Sequence, residues 1–109
     1  MRQASERARK AFFAKVADFR RGFAPNERLL IKMGFKVPGG TEYMWVEVTG
    51  WQADVVEGVL ANDSYYDKAL VEGKLVTVKL DDVYDYIHYK PDGTQEGNET
   101  RKVLEKNDG

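Results

Sequence analysis

The spacing of the apolar residues changes once along this chain, and that change limits the folds it can adopt. Apolar side chains near the N-terminus recur after four, four, three and four positions: Ala8, Phe12, Val16, Phe19 and Phe23. This spacing places them in one stripe, so the sequence predicts an amphipathic helix over residues 5–23. Ser5 is the expected N-cap, and Pro25 marks the end of the helix.

From residue 28 onward the apolar period is two, which is typical of strands. Turn residues divide residues 28–90 into five short segments of this kind. The sequence therefore predicts a single α+β domain, with the N-terminal helix packed on a strongly bent five-stranded antiparallel sheet or a small open barrel of the Src-homology-3-like kind. Residues 91–109 are expected to form a polar tail.

The composition fits a folded domain and excludes several classes of chemistry. The chain has 109 residues, of which 42% are hydrophobic, and it has no cysteine. Disulfides, zinc ribbons and thiol catalysis are thereby excluded. The sequence shows neither a signal-peptide pattern nor an apolar run of about 20 residues, so we expect a cytoplasmic protein without membrane attachment.

Charge is distributed unevenly along the chain. Residues 1–36 carry ten Lys/Arg and three Asp/Glu, whereas residues 37–109 carry seven and fifteen. A basic N-terminal helix can bind nucleic acid, or it can dock on an acidic sheet of the same protein. Docking is favoured because the acidic remainder would repel phosphate.

No catalytic constellation is assembled in the sequence. The chain has one histidine, His88, and no Gly-x-Ser-x-Gly motif. We expect His88 to be a surface or half-buried strand residue, and an enzyme that uses it is a third hypothesis. Asp81, Asp82 and Asp85 lack the spacing of a calcium loop, so no metal and no cofactor is predicted.

Two aromatic faces compete to cover the helix stripe. Tyr43 and Trp45 share one face of a predicted strand, while Tyr84, Tyr86 and His88 share a face of the last one. Because the first strand has neighbours on both sides in a simple meander, we assign Tyr43 and Trp45 to the helix interface. The second set is then the more exposed one, and Trp51 is undecided.

An ordered set of residues resembles the YegJ-like family of uncharacterised bacterial domains. The matching positions are Lys32, Phe35, Glu42, Trp45, Val46, Gly58, Asn62, Gly73, Val76, Val78, Asp85, Gly97 and Thr100. Tyr43, Ser64 and Tyr86 depart from the pattern, where the family often has His, Pro and Trp. The resemblance implies a bacterial or phage origin and no particular reaction. Some similar small domains are thought to be immunity proteins against toxins.

These observations predict a non-catalytic binding domain. We expect a protein partner, in an immunity or anti-defence role as one version, to meet an acidic, tyrosine-rich edge. The candidate contact residues are Tyr84, Tyr86, Asp85, His88, Asp81, Asp82 and Trp51. Nucleic-acid binding through the basic helix is the alternative, and a homo-oligomer is left open.

Overall fold

The structure is a computed structural model that describes residues 2–102. The last part of the predicted polar tail, residues 103–109, lies outside the described residues. The described elements are the N-terminal α-helix, a helical segment over residues 99–102, one short 3₁₀-helix and six strands. Their bounds are α1 Arg2–Arg20, β1 Arg28–Val37, β2 Gly40–Gln52, β3 Val55–Leu60, β4 Leu75–Lys79, the 3₁₀-helix Leu80–Asp82, β5 Asp85–Tyr89 and β6 Gln95–Gly97.

The predicted α+β class is confirmed, with a six-stranded antiparallel sheet that is not closed into a barrel. The prediction of five strands missed β6, which lies inside the expected polar tail. The likeness to a Src-homology-3 barrel is not confirmed. Ser5 is not an N-cap: it lies within α1, and its hydroxyl donates a 2.6 Å hydrogen bond to the carbonyl of Tyr84. Within the described residues, no helix has the length and apolarity that a membrane span requires.

The chain forms two compact units. The first unit comprises the described residues up to Leu29 and from Tyr84 onward, and so contains α1, β5 and β6. Here α1 packs on β5, which is paired with β6. Ala8, Phe12 and Phe19 of α1 are buried. Their stripe agrees with the predicted helical period, and its burial stabilises this unit.

The second unit spans Leu30–Val83, with the strand order β4-β3-β2-β1. A hairpin turn joins β1 to β2, in register from Val37 opposite Gly40 to Leu30 opposite Glu47. In β2 the buried residues alternate, Met44, Val46 and Val48, as the period-two pattern of the sequence predicts. In β1, Leu29, Leu30 and Ile31 are buried in succession. Gly58 is required by close packing, because a Cβ at this position would collide with the backbone of Glu47 and the side chain of Val46.

Candidate functional site: a tyrosine loop beside the first hairpin

A long connection joins β3 to β4 over residues 61–74 and has no helix or strand of its own. Connections longer than about 12 residues without secondary structure are uncommon in compact proteins and are often functional. This one carries two adjacent tyrosines, Tyr65 and Tyr66, which are 93% and 65% exposed. Their ring centroids are 6.5 Å apart. The loop therefore presents a large aromatic area to solvent.

Hydrogen bonds hold the backbone of these tyrosines in place. The carboxylate of Glu42, on β2, accepts bonds from the Ser64 hydroxyl at 2.5 Å and from the Tyr65 amide at 3.0 Å. The Ser64 hydroxyl oxygen in turn accepts bonds from the amides of Tyr66, at 3.1 Å, and Asp67, at 2.9 Å. The hydrogen bonds that the Glu42 carboxylate accepts hold its pKa below its usual value, and the bond from Ser64 is the largest cause. The loop is therefore anchored to β2 by a charged acceptor.

Further contacts fix the two ends of the connection. At its start, the side-chain oxygen of Asn62 accepts a 3.0 Å bond from the amide of Trp45. At its end, the amide of Gly73 donates a 2.8 Å bond to the carbonyl of Leu60. Gly73 has a φ of 88°, a conformation that glycine adopts at no steric cost. The connection is thus tied to the sheet at both ends and at its middle.

A groove adjoins the tyrosines. It is lined by Tyr66 and by the tip of the β1–β2 hairpin, Val37, Pro38, Gly39, Gly40 and Thr41. Tyr43, on the same hairpin, is 49% exposed, and its ring covers Gly34. We call Tyr65, Tyr66 and this groove the tyrosine-loop surface. It combines exposed aromatic rings with a shallow depression.

The structure does not bring the predicted contact residues together as an exposed edge. Asp85 and Tyr86 are fully buried, whereas Asp81 and Asp82 are exposed. Tyr84, His88 and Trp51 are of intermediate exposure. The expected exposure of Asp85 and Tyr86 was therefore wrong.

Tyr86 is buried because α1 packs against it. The ring of Phe12 lies 5.8 Å from that of Tyr86, and the ring of Phe19 lies 6.5 Å from that of Tyr86 and 5.0 Å from that of His88. The phenylalanine stripe therefore packs on the aromatic face of β5. Its assignment to Tyr43 and Trp45 was wrong. Trp45 is half-buried, with the ammonium of Lys32 5.7 Å from its ring centroid.

His88 is held between an aromatic ring and a carboxylate. Phe19 meets the imidazole edge to face, and Nε2 lies 2.6 Å from Oε2 of Glu27. The pKa of Glu27 lies below its usual value, first because its carboxylate accepts a bond from the amide of Ala24 and then because of His88. The His88 side chain is 12% exposed. These contacts suit a packing role for His88.

The hydroxyl of Tyr86 joins a cluster of charged side chains around the carboxylate of Glu96. This hydroxyl donates a 2.9 Å bond to Oε1 of Glu96, which is also bound by the ammonium of Lys15, while Lys90 lies 3.1 Å from Oε2. The two lysines and the hydroxyl bring the pKa of Glu96 to about 2, with the Lys15 bond as the largest cause. Burial, followed by the bond to Glu96, raises the pKa of Tyr86. Lys15 is thus committed to an internal ion pair.

Asp85 organises the C-terminal part of the first unit. Its carboxylate accepts bonds from the amide and hydroxyl of Thr100, at 2.9 and 2.7 Å, and from the amide of Tyr86 at 2.8 Å. Gly97, with a φ of 100°, packs directly against the carbonyl of Tyr86. In the described part of the chain, no three His, Asp or Glu side chains are grouped so as to hold a metal ion.

Comparison with known proteins gives a family. The family profile described as "Uncharacterized protein conserved in bacteria (DUF2314)" matches residues 1–107. The chain belongs to the DUF2314 family. This match does not confirm the YegJ-like designation that the motifs suggested. No curated protein matched the chain, and no solved structure did.

In this DUF2314 protein, several of the residues behind the sequence resemblance fix the backbone by hydrogen bonds or by close packing. Glu42, Asn62 and Gly73 anchor the tyrosine loop. Asp85, Gly97 and Thr100 form the second polar cluster. Gly58 permits close strand packing, Lys32 lies over Trp45, and Phe35 is half-buried on β1. The pattern therefore marks structural positions.

Sequence analysis missed Tyr65 and Tyr66. Their segment was interpreted only as a connection because it has neither a helical nor a strand period. A usable signal was present: two adjacent aromatic residues stand between Ser64 and Asp67 in a long polar connection. Aromatic rings in such a segment have no strand or helix face on which to be buried.

Proposed function

We propose that this DUF2314 protein is a non-catalytic binding domain whose partner is another protein. The observation that carries the proposal is the exposure of Tyr65, 93%, on a backbone that Glu42 and Ser64 hold by hydrogen bonds. Leaving aromatic rings in water forgoes the stabilisation that burial would give. A partner that covers Tyr65 and Tyr66 would recover it.

The anchored loop is suited to recognition. Tyrosine offers a large contact area with few rotatable bonds and a hydroxyl that can form a hydrogen bond. Because the backbone of Tyr65 and Tyr66 is already bonded, little main-chain entropy remains to be lost on binding. The groove at the hairpin tip adds a depression into which a partner side chain can fit. An immunity or anti-defence role is one version of this proposal.

The proposal moves the contact surface away from the acidic edge expected from the sequence. Asp85 and Tyr86, the middle residues of that edge, are buried, although Asp81 and Asp82 are exposed. The partner class is retained, and Tyr65 and Tyr66 take the place of Tyr84 and Tyr86 as the aromatic contacts. Charge contributes less to the new surface, which contains one hairpin tip and two neutral rings.

Affinity capture with matched variants tests this proposal. Tagged wild-type protein, Tyr65→Ala/Tyr66→Ala and Lys68→Ala are compared in extracts of a bacterium that carries the gene, and captured proteins are purified and titrated by calorimetry. Lys68 is exposed in the same loop, so its variant controls for loop surface changes. We expect a partner bound equally by wild type and Lys68→Ala and at least about tenfold more weakly by the double variant. Equal binding by all three proteins would refute the surface.

Nucleic-acid binding is the second candidate, because Arg7, Lys10 and Arg20 are exposed on α1. Lys15 contributes less, since Glu96 binds its ammonium. The test is fluorescence anisotropy with single- and double-stranded probes at several salt concentrations. This candidate requires affinity that falls with salt and is lost in Arg7→Glu/Lys10→Glu. Absence of binding at low salt would end it.

An enzyme that uses His88 is the third candidate. Its motivation is the close approach of Nε2 to the Glu27 carboxylate, an arrangement that can orient a general base. His88→Gln and Glu27→Gln would have to abolish any activity found for the purified protein. Activity that survives both substitutions would exclude the role.

A further inference from the structure

Strand β4 is an edge strand that follows β3 in the sheet order. Two backbone hydrogen bonds show which of its residues direct their N–H and C=O groups toward β3. The amide of Leu80 donates to the carbonyl of Asp54 at 2.8 Å, and the amide of Leu60 donates to the carbonyl of Lys74 at 2.9 Å. Hydrogen-bonded pairs alternate along an antiparallel ladder, so Val76 and Val78 direct their backbone groups toward β3.

The other residues of β4 direct their backbone groups away from β3. By the same alternation these residues are Leu75, Thr77 and Lys79. In the described part of the chain, β4 is paired on one side, with β3. Leu75 is 78% exposed at the start of this edge. The edge therefore offers N–H and C=O groups together with an exposed apolar side chain, a combination that favours addition of a further strand.

The sequence of β4 is complementary to itself about its central residue. In an antiparallel pairing centred on Thr77, Thr77 faces its own copy, and Val76 faces Val78 of the other strand. Leu75 then faces Lys79, whose aliphatic stem can cover the leucine while its ammonium stays in water. β-Branched and Thr–Thr cross-strand pairs stabilise such contacts, and like charges do not face each other.

Other registers are less favourable. A pairing centred on Lys79 would place two ammonium groups opposite each other, which destabilises a strand pair. A pairing centred on Val76 would place Lys79 opposite Gly73, and one centred on Val78 would place Leu75 opposite Asp81, so each leaves one end of β4 facing a residue outside the strand. The Thr77-centred register is thus the one that pairs every outward backbone group of β4 without facing like charges.

We propose that two copies of this chain associate through β4, antiparallel and with a two-fold axis at Thr77. A second copy is the occupant because the edge is self-complementary, as an isologous interface requires. The contact has only five residues on each side. Such a small interface implies a weak, concentration-dependent dimer, with Kd on the order of 10 µM to 1 mM. This contact is separate from the tyrosine-loop surface and does not depend on the proposed function.

Sedimentation velocity over a dilution series tests the dimer and its register. Leu75→Lys places like charges opposite each other at two symmetry-related positions, so we expect Kd to rise at least about tenfold. Leu75→Glu faces Lys79 of the other copy and should retain dimerisation. The charge exchange Leu75→Lys/Lys79→Glu should restore the dimer lost in Leu75→Lys. Failure of this restoration, with both proteins folded by circular dichroism, would refute the register.

Thr77→Pro provides an independent test of the edge. The Thr77 amide points away from β3, so proline at this position removes an intermolecular bond and leaves the ladder to β3 intact. We expect a folded monomer. A wild-type protein that stays monomeric at about 1 mM, or a Thr77→Pro variant that dimerises like wild type, would overturn the proposal.

Discussion

Asp85 accepts two hydrogen bonds from Thr100, one from its amide at 2.9 Å and one from its hydroxyl at 2.7 Å, and both residues are fully buried. The same carboxylate accepts the amide of Tyr86. Strand β5 and the segment after β6 are therefore joined at a single acceptor. A buried carboxylate with several donors is costly to remove, because each donor loses its partner away from water.

Substituting Asp85 by Ala is expected to lower the free energy of unfolding by about 3 kcal/mol, since it leaves buried N–H and O–H groups without their acceptor. Thr100→Val removes the hydroxyl bond and keeps the amide bond, so a loss of about 1–2 kcal/mol is expected. Urea unfolding followed by circular dichroism measures both values. Equal losses for the two variants would contradict the shared-acceptor argument.

Phe12 and Phe13 provide a matched pair on α1. Phe12 is fully buried against Tyr86, whereas Phe13 is half-buried beneath the guanidinium of Arg9. We expect Phe12→Ala to cost about 3–5 kcal/mol and Phe13→Ala clearly less, because the second truncation leaves a smaller buried cavity. Thermal unfolding in the same buffer gives the comparison. A Phe13 variant as unstable as the Phe12 variant would show that the apolar face of α1 is misassigned.

The helix was predictable from the sequence because its apolar residues repeat with a helical period, and the long strands because theirs repeat with a period of two. The strand surface on which Phe12 and Phe19 pack was not predictable in the same way. Tyr43 with Trp45 and Tyr86 with His88 are both aromatic faces by local pattern. Which face is covered depends on tertiary packing, and the structure places Tyr86 under the helix.

Polar anchors were still harder to predict. The hydrogen bond that Thr100 donates to Asp85 joins residues 15 positions apart, and the one that Ser64 donates to Glu42 spans 22 positions. Neither spacing follows a helical or strand period, so no local rule identifies the partners. Tyr65 and Tyr66 were overlooked for the same reason: their exposure depends on a loop that distant Glu42 holds in place.

Acid is expected to destabilise the protein through Glu96. Its pKa falls from 4.5 to about 2 on folding, chiefly because of Lys15. A lowered pKa means that the folded state binds fewer protons, so the contribution is present above pH 4.5 and is lost as pH falls toward 2. Glu27 acts in the same direction. Urea unfolding at pH values from 6 to 2.5 should show this decline.

Glu96→Gln should weaken the decline, because the substituted side chain has no carboxylate to protonate. Glu72→Gln removes the same charge from an exposed loop position and serves as the matched control. We expect this control to follow the wild-type curve. If the Gln variants at both positions showed the same pH dependence as wild type, the Lys15–Glu96 pair would not contribute to acid sensitivity.

Alanine substitutions at Gly97 and Gly93 distinguish the cost of a left-handed backbone from the cost of a steric collision. Both have positive φ, 100° and 88°, but a Cβ on Gly97 would meet the carbonyl oxygen of Tyr86, whereas one on Gly93 would meet no atom within 4 Å. Gly93→Ala should therefore cost about 1–2 kcal/mol for the left-handed conformation alone. Gly97→Ala should cost at least about 2 kcal/mol more, because β5 and β6 must move apart where Gly97 faces Ile87, next to the carbonyl of Tyr86. Chemical unfolding of the two variants measures the difference, and similar values would mean that the backbone accommodates a side chain at Gly97.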